Sequence, residues 1–593
     1  MGKLDTSTVN GPEGLQDWDA IDWRSCEKEV RRLRGRIFKA TREQNWPQVR
    51  NLQKLMLRSR SNAMVSVRRV TQHNAGRMTA GVDGRIALSS EARSDLVAQV
   101  VQGRDHGDPL PVKRVHIPKS GSKNKTRPLG IPVIADRCHQ ARVRNALEPE
   151  WEARFEARSY GFRPGRGCHD AIAYLFSVLG RRSAKRLWIV DADLSAAFDR
   201  IDHDQLLSRV GTFPARGLIR RWLKAGVVEK GRGFTPTEEG SPQGGVISPL
   251  LLNIVLHGLE EAAGVRVYPS SSPLEGRMKP GSPALVRYAD DFAVCCFSKE
   301  QAEQVKERLA EWLGIRGLSL NEDKTRIVHA SEGFDFLGFN IRRYSGKLLI
   351  MPSKKSVSRL RERLRSEMMR LRGSNAKAVA RELNPVIRGW SAYYRGVVSS
   401  RTFGKLDGYM WWLTWRWAKR SHPNKSGYWI KARYFDRFNK FRNDRWVFGD
   451  RDTGTYLVKF SWTPIVRHVM VKAGASMDDP GLTSYWEERR RRVKPPLDEY
   501  TLGLLSKQKG VCPLCGDALL GIDQPPQSPR EWERWWLVIS RKAISAGYLT
   551  HYEEQGWESK NRISLVHDSC RRGYDARRHR NSSGRFRKSK GSA

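Results

Sequence analysis

Leu285-Val286-Arg287-Tyr288-Ala289-Asp290-Asp291-Phe292-Ala293-Val294 sets two adjacent carboxylates between apolar runs, and the second run continues through Cys295-Cys296-Phe297. The pattern predicts a buried β-hairpin whose turn holds Ala289-Asp290-Asp291. Like charges side by side in a buried place are costly, and a divalent cation against them supplies the compensating charge. A metal is implied. Taken in isolation, an Asp-Asp pair reads equally well as turn and cap residues, so the rest of the chain has to decide.

A further carboxylate lies upstream in Leu187-Trp188-Ile189-Val190-Asp191-Ala192-Asp193. An apolar start followed by acids reads as a strand that delivers Asp193 at its C-terminal end, beside the hairpin. Nucleotidyl transfer uses this arrangement: carboxylates from two strands hold two Mg²⁺ ions about 3.5–4 Å apart, one activating a primer 3′-hydroxyl and one bracing pyrophosphate. Asp193, Asp290 and Asp291 are therefore the candidate catalytic and Mg²⁺-binding set.

Tyr288-Ala289-Asp290-Asp291 has companions in a fixed order: Arg127-Pro128-Leu129-Gly130-Ile131-Pro132, Tyr160-Gly161-Phe162-Arg163-Pro164-Gly165, Asp193 to Phe198, Ser241-Pro242-Gln243-Gly244-Gly245, Leu320-Asn321-Glu322-Asp323-Lys324-Thr325 and Phe336-Leu337-Gly338-Phe339. The series resembles the successive blocks of bacterial group II intron-encoded reverse transcriptases, over roughly residues 20 to 470. The resemblance implies an α+β chain: a right-hand polymerase of fingers and palm, a helical thumb/maturase domain, and a small C-terminal zinc-knuckle module. It also implies RNA-directed DNA synthesis from dNTPs, with an RNA template and a DNA primer. Maturase work on the protein's own group II intron RNA, assisting splicing, and target-primed copying into DNA would follow. Two rival readings are a splicing maturase without polymerase activity and a retron, defence or CRISPR-linked reverse transcriptase. The carboxylates, Phe198 and Gln243 speak against the first, and the segment Trp390 to Arg395 with the C-terminal knuckle against the second.

The resemblance also distributes roles. Phe198 stands where the family places an aromatic that excludes a 2′-hydroxyl, although it also reads as a core phenylalanine. Gln243 should touch the incoming nucleotide, with Gly244-Gly245 allowing close backbone approach. Lys324 occupies a position near the departing pyrophosphate, or is simply a surface lysine. Lys113 to Lys119, a Gly/Ser/Lys loop and Lys125 to Pro128 read as a basic hairpin able to fold over a triphosphate. Lys119 and Arg127 are the candidates for that contact, with Lys113 beside them.

The chain has 593 residues and a formal charge of +44, from 107 Lys plus Arg against 63 Asp plus Glu. The excess is spread along the sequence, which suits an extended polyanion lying across several domains. No apolar run approaches the ~20 residues a bilayer demands, and the N-terminus lacks the order of a signal peptide. No membrane role is expected; the expectation is an intracellular protein of the bacterial cytoplasm, at the nucleoid when acting on DNA. Eight cysteines are few for this length and fit a reducing compartment.

The expected domains are a disordered 1–20, a basic helical extension and lid at 21–100, fingers and palm at 101–345, thumb and maturase domain at 346–475, a linker with part of a DNA-binding region at 476–499, a zinc-knuckle domain at 500–575 and a basic tail at 576–593. Amphipathic helices are expected from Trp23 to Val70, at Glu300 to Leu313 and at Lys354 to Gly373. The charged stretch Glu487 to Pro496 reads as linker. Most aromatics of the segments Gly389 to Arg395 and Met410 to Trp417 read as core, and some, interleaved with Arg and Lys, could stack on unpaired bases.

Cys512-Pro513-Leu514-Cys515 has the spacing of half a zinc site, and His567 and Cys570 could complete it. Position and flanks resemble the HNH endonuclease domain of many such proteins. The sequence lacks a His-His-Ile segment, and Arg571 follows Cys570 where the family usually has His, so the module reads as a DNA-binding remnant or a diverged nuclease.

Overall fold

The computed structural model describes Trp18 and residues 21–102, 108–118, 126–268, 272, 278–439, 442–492, 499–508, 510–514, 519, 526–538, 545–550, 561–566 and 570. The chain forms two units. The first comprises residues 1–337, 341–348 and 470–483, and the second 338–340, 349–469 and 484–593.

The first unit begins with the expected amphipathic helices, Trp23–Arg42, Trp46–Arg58 and Arg60–Arg68. Asp22, Asn45 and Ser59 cap their first turns by accepting from backbone N–H groups. Val30, Leu33 and Ile37 on the first helix, with Val49, Leu52 and Met56 on the second, share one core with Val143, Ala146, Leu147 and Trp151 of the helix Ile134–Glu152.

Eight strands follow in order: β1 (Val112–Pro118), β2 (Thr126–Ile131), β3 (Trp188–Asp193), β4 (Val227–Glu229), β5 (Gly233–Thr235), β6 (Ala284–Tyr288), β7 (Asp291–Cys296) and β8 (Arg326–His329). One sheet has the order β2-β1-β4-β5 and the other β6-β7-β3-β8. In the second sheet β3 lies between β7 and β8, antiparallel to both. The helix Lys299–Gly314 buries Val305, Leu309 and Leu313 in the core shared by Val190, Phe292 and Val294.

Three expectations are corrected here. Trp18 falls in the segment expected to be disordered, yet it is 1% exposed and packs against Trp23 with ring centroids 4.7 Å apart. The remainder of 1–20 lies outside the described residues. The presumed linker is helical over Thr483–Arg492, and the helix buries Trp486 while leaving Arg490 exposed. Residues 470–483 belong with the first unit rather than with the thumb or a linker. Asp478 accepts from Arg34 Nε and Nη2 at 2.7 Å each, and Arg34 Nη2 also donates to Glu148 at 2.9 Å. Arg166 donates to the carbonyls of Ala473 and Ala475.

The second unit is mainly helical. Lys354–Arg370 buries Leu360, Leu364 and Met368 and keeps its basic residues outward, while Gly373 at φ +79° follows its end. Next come Ala376–Tyr394 and Ser400–Ser421. The helix Pro529–Val538 lies so close to Gly389 that a Cβ there would stand 2.6 Å from the Glu533 nitrogen. Glu533 is also held by both terminal nitrogens of Arg363, at 2.7 and 2.8 Å. Among the described residues no helix is long and apolar enough to cross a membrane.

Candidate active site

The hairpin expected from the sequence is β6–β7, in which Tyr288 pairs with Asp291 and Ala289-Asp290 form the turn. Asp291 is thus the first residue of a strand rather than part of the turn. Ala289 has φ +58°, the left-handed conformation that costs a residue with a Cβ roughly 1–2 kcal/mol. On the neighbouring strand Asp193 is the Cα partner of Asp291. The register alone brings the three expected acids together.

Their electrostatics reflect the crowding. Burial, then the neighbouring Asp290 and the hydrogen-bonded Asp193, push the Asp291 carboxyl well above the ordinary carboxylate range. Burial also raises Asp290, opposed in part by Arg127 and Lys324. Lys324 Nζ forms an ion pair with Asp193. As the side chains stand, no three His, Cys, Asp or Glu groups among the described residues converge on one point as ligands. The donor set nonetheless fits a hard divalent cation, because it offers only oxygens and its mutual repulsion is relieved by positive charge. Asp191, two residues before Asp193, is satisfied differently, by Arg326 Nε at 3.1 Å.

Phe198 is half-buried, with its ring edge-on to the exposed Phe162 at 6.4 Å. Gln243 donates to Asp199 at 3.0 Å, next to Phe198. The loop carrying Gln243 rests on β2: the Gly130 N–H donates to the Gln243 carbonyl, and a Cβ on Gly244 would come 2.3 Å from the Gly130 oxygen. The β1–β2 pair is the expected antiparallel hairpin, with Arg127 opposite Ile117 and Lys113 opposite Ile131, both cations exposed. Lys119 lies outside the described residues.

Sequence reasoning missed what holds the Asp turn from behind. The residues Arg158, Ser159 and Tyr160 pair with β6 through Arg287, whose backbone N–H donates to Arg158 and whose carbonyl accepts from Tyr160. Gly161 then passes so close to the turn that a Cβ would meet the Ala289 nitrogen at 2.3 Å. Asn253, buried in the apolar helix Ser248–Val255, donates to the Gly161 carbonyl at 2.9 Å. A lone amide in the run Ser-Pro-Leu-Leu-Leu-Asn-Ile-Val was the available signal.

In the second unit, Trp390, Tyr393, Tyr394 and Trp417 are core, as expected for most of these aromatics, whereas Trp411 and Trp412 are 41% and 42% exposed. Tyr409 and Trp412 stack at 5.9 Å, with Arg361 over the first ring and Arg416 over the second. Trp411 stacks on Trp415 at 5.8 Å beside Trp446, which Lys431 covers. Of the candidate zinc ligands, Cys512 and Cys570 meet in one small apolar cluster with Leu519, Leu565 and Val566. Cys515 and His567 lie outside the described residues.

Three families match parts of the chain: the reverse transcriptase (RNA-dependent DNA polymerase) at residues 117–341, the N-terminal domain of reverse transcriptase at 18–100, and the group II intron maturase-specific domain at 357–435. Protein YkfC of Escherichia coli K12 is 36% identical over 326 residues, covering 50% of this chain and 84% of that protein. The group II intron-encoded protein LtrA of Lactococcus lactis subsp. cremoris is 32% identical over 332 residues, 46% of this chain and 54% of LtrA. A 91 kDa protein in the cob intron of Schizosaccharomyces pombe is 27% identical over 432 residues, 60% of this chain and 52% of that protein. The chain thus spans about half the length of the latter two.

The close approach behind the Asp turn gives a direct test. Gly161→Ala should lower the urea midpoint of the full chain by the equivalent of about 1–3 kcal/mol. Gly217→Ala, whose new Cβ has nothing within 4 Å, should change it by less than about 1 kcal/mol. Equal shifts would mean that the turn accommodates a Cβ.

Proposed function

Because the chain belongs to the family of group II intron reverse transcriptase/maturases, we propose that it synthesises DNA on an RNA template at Asp193, Asp290 and Asp291 and binds its intron RNA to assist splicing and target-primed insertion. The observation that carries the polymerase reading is the strand register that sets Asp193 opposite Asp291, one residue from Asp290, in a half-buried position. Mg²⁺ held by these carboxylates would supply the charge that activates the primer hydroxyl and stabilises the leaving pyrophosphate. Lys324, paired with Asp193, is then positioned to transfer its charge to the pyrophosphate side. Arg127, whose field reaches Asp290, serves the triphosphate together with Lys113 and Lys119. Phe198 lies against the sugar of the incoming dNTP, and Gln243, steadied by Asp199, contacts the nucleotide.

The maturase reading draws support from the exposed Tyr409–Trp412 and Trp411–Trp415–Trp446 groups, whose rings are interleaved with Arg and Lys as unpaired bases and phosphates require. For the C-terminal segment we propose an HNH-like, DNA-binding zinc module with Cys512, Cys515, His567 and Cys570 as ligands. The shared cluster of Cys512 and Cys570 supports it. Target DNA and the nucleoid are the corresponding partners.

Primer extension on RNA with Mg²⁺ and dNTPs tests the central claim. Asp290→Ala/Asp291→Ala should abolish extension without loss of RNA binding, and Phe198→Ala should raise ribonucleotide use by about tenfold or more, as removing a buried steric contact of roughly 1.4 kcal/mol would. Wild-type protein that binds RNA but extends no primer would sink the polymerase reading. Trp412→Ala is expected to weaken intron RNA binding by about 1–3 kcal/mol, the worth of one stacked base, in a filter-binding titration; unchanged affinity removes that face from the RNA contact. Metal analysis should find about one zinc per chain, lost in Cys512→Ser. Zinc-free, folded wild-type protein would end the zinc assignment.

A further inference from the structure

Arg287 is the most deeply buried cation beside the candidate active site. It is 0% exposed, and it follows two apolar residues in β6. Its Nη1 donates to Asn253 Oδ1 at 2.8 Å and to the Ala289 carbonyl at 3.2 Å, so one nitrogen bridges the helix Ser248–Val255 and the Asp turn. The Asn253 Nδ2 continues the chain to the Gly161 carbonyl, and Gly161 abuts the Ala289 nitrogen. Both sides of the left-handed Ala289 are therefore held, one by the Arg287 Nη1 at its carbonyl and one by a backbone with no Cβ against its nitrogen.

This arrangement does more than bury a charge. A left-handed alanine persists only where its surroundings over-determine it, and the residues immediately after it are Asp290 and Asp291. A lysine would keep the charge at position 287, but its stem is one bond shorter, so its ammonium stops short of the place from which Nη1 reaches both the amide oxygen and the turn carbonyl. We propose that Arg287 and Asn253 are positioning residues that, with Gly161, fix the Ala289 turn and thereby set Asp290 and Asp291 in register with Asp193 for metal binding. The proposal rests on the polymerase reading for its kinetic consequences. Its structural claim concerns the carboxylates alone.

The experiment uses the full chain and the variants Asn253→Ala, Arg287→Lys and Asn253→Asp, the last retaining an acceptor for Arg287 while losing the donor to Gly161. Mn²⁺ binding is titrated by electron paramagnetic resonance, with Asp290→Ala/Asp291→Ala as the baseline for the site. Circular dichroism and RNA binding report the fold, and steady-state primer extension gives kcat and KM for dNTP. The expected result for folded Asn253→Ala and Arg287→Lys is Mn²⁺ binding at least about fivefold weaker and kcat lowered about tenfold or more, with KM within about twofold. Asn253→Asp should fall between Asn253→Ala and wild type. Folded variants that bind Mn²⁺ and turn over as wild type does would overturn the proposal, as would loss of fold in all three, which would make the network a folding element only. Wild-type protein that binds Mn²⁺ yet extends no primer would remove the polymerase reading, and the Mn²⁺ affinities would still decide the positioning role.

Discussion

Three carboxylates share a place where water is scarce, and much of the first unit is arranged around the cost of that crowding. Antiparallel pairing of β3 with β7 fixes the separation of Asp193 and Asp291 through the backbone, so the repulsion cannot be relieved by moving the strands apart without breaking the sheet. The side chains answer instead. Asp291 favours its protonated form, and Asp193 takes Lys324 as its counter-ion. Arg326 of β8 pairs with Asp191, the acid two residues before Asp193, and partly offsets the rise that burial imposes on it.

The supporting parts meet at backbone level, where side-chain variation does least harm. Gly244 against the Gly130 carbonyl and Gly161 against Ala289 bring four separate stretches of chain together in two pairs without intervening side chains. The second unit applies the same device at Gly389, where the helices Ala376–Tyr394 and Pro529–Val538 approach to backbone distance, and the Arg363–Glu533 fork fastens the latter to a third helix, Lys354–Arg370.

Local chemistry was legible in the sequence wherever the signal was short-range. Alternation around Asp290-Asp291, the apolar lead-in to Asp193 and the helical period of Val30, Leu33 and Ile37 each act over a few residues, and the strands and helices formed accordingly. What escaped reading depends on partners far apart in the chain. Nothing near Asp478 announces that its counter-ion is Arg34, and nothing near Gly161 announces Ala289. Charge density misled the reading of Thr483–Arg492, because four consecutive arginines suit a solvated helix as well as a linker, and the buried Trp486 is a single residue. Trp411 and Trp412 stay outside because one face of their helix is already filled by Phe403, Leu406, Met410 and Trp417. Lys119, Cys515 and His567 lie outside the described residues, and their roles rest on the sequence alone.

The ion pair between Arg34 and Asp478 spans 444 positions, and that separation sets a schedule for the ribosome. At about 5–20 residues per second, Asp478 is added roughly 20 to 90 s after Arg34, whereas Glu148, 114 positions on, follows after roughly 6 to 23 s. The first helix of the nascent chain can therefore dock early against Glu148 on the helix Ile134–Glu152, with half of its guanidinium still facing solvent. Residues 470–483 close over it last, and the N-terminal half of the molecule matures only after the thumb helices have been translated.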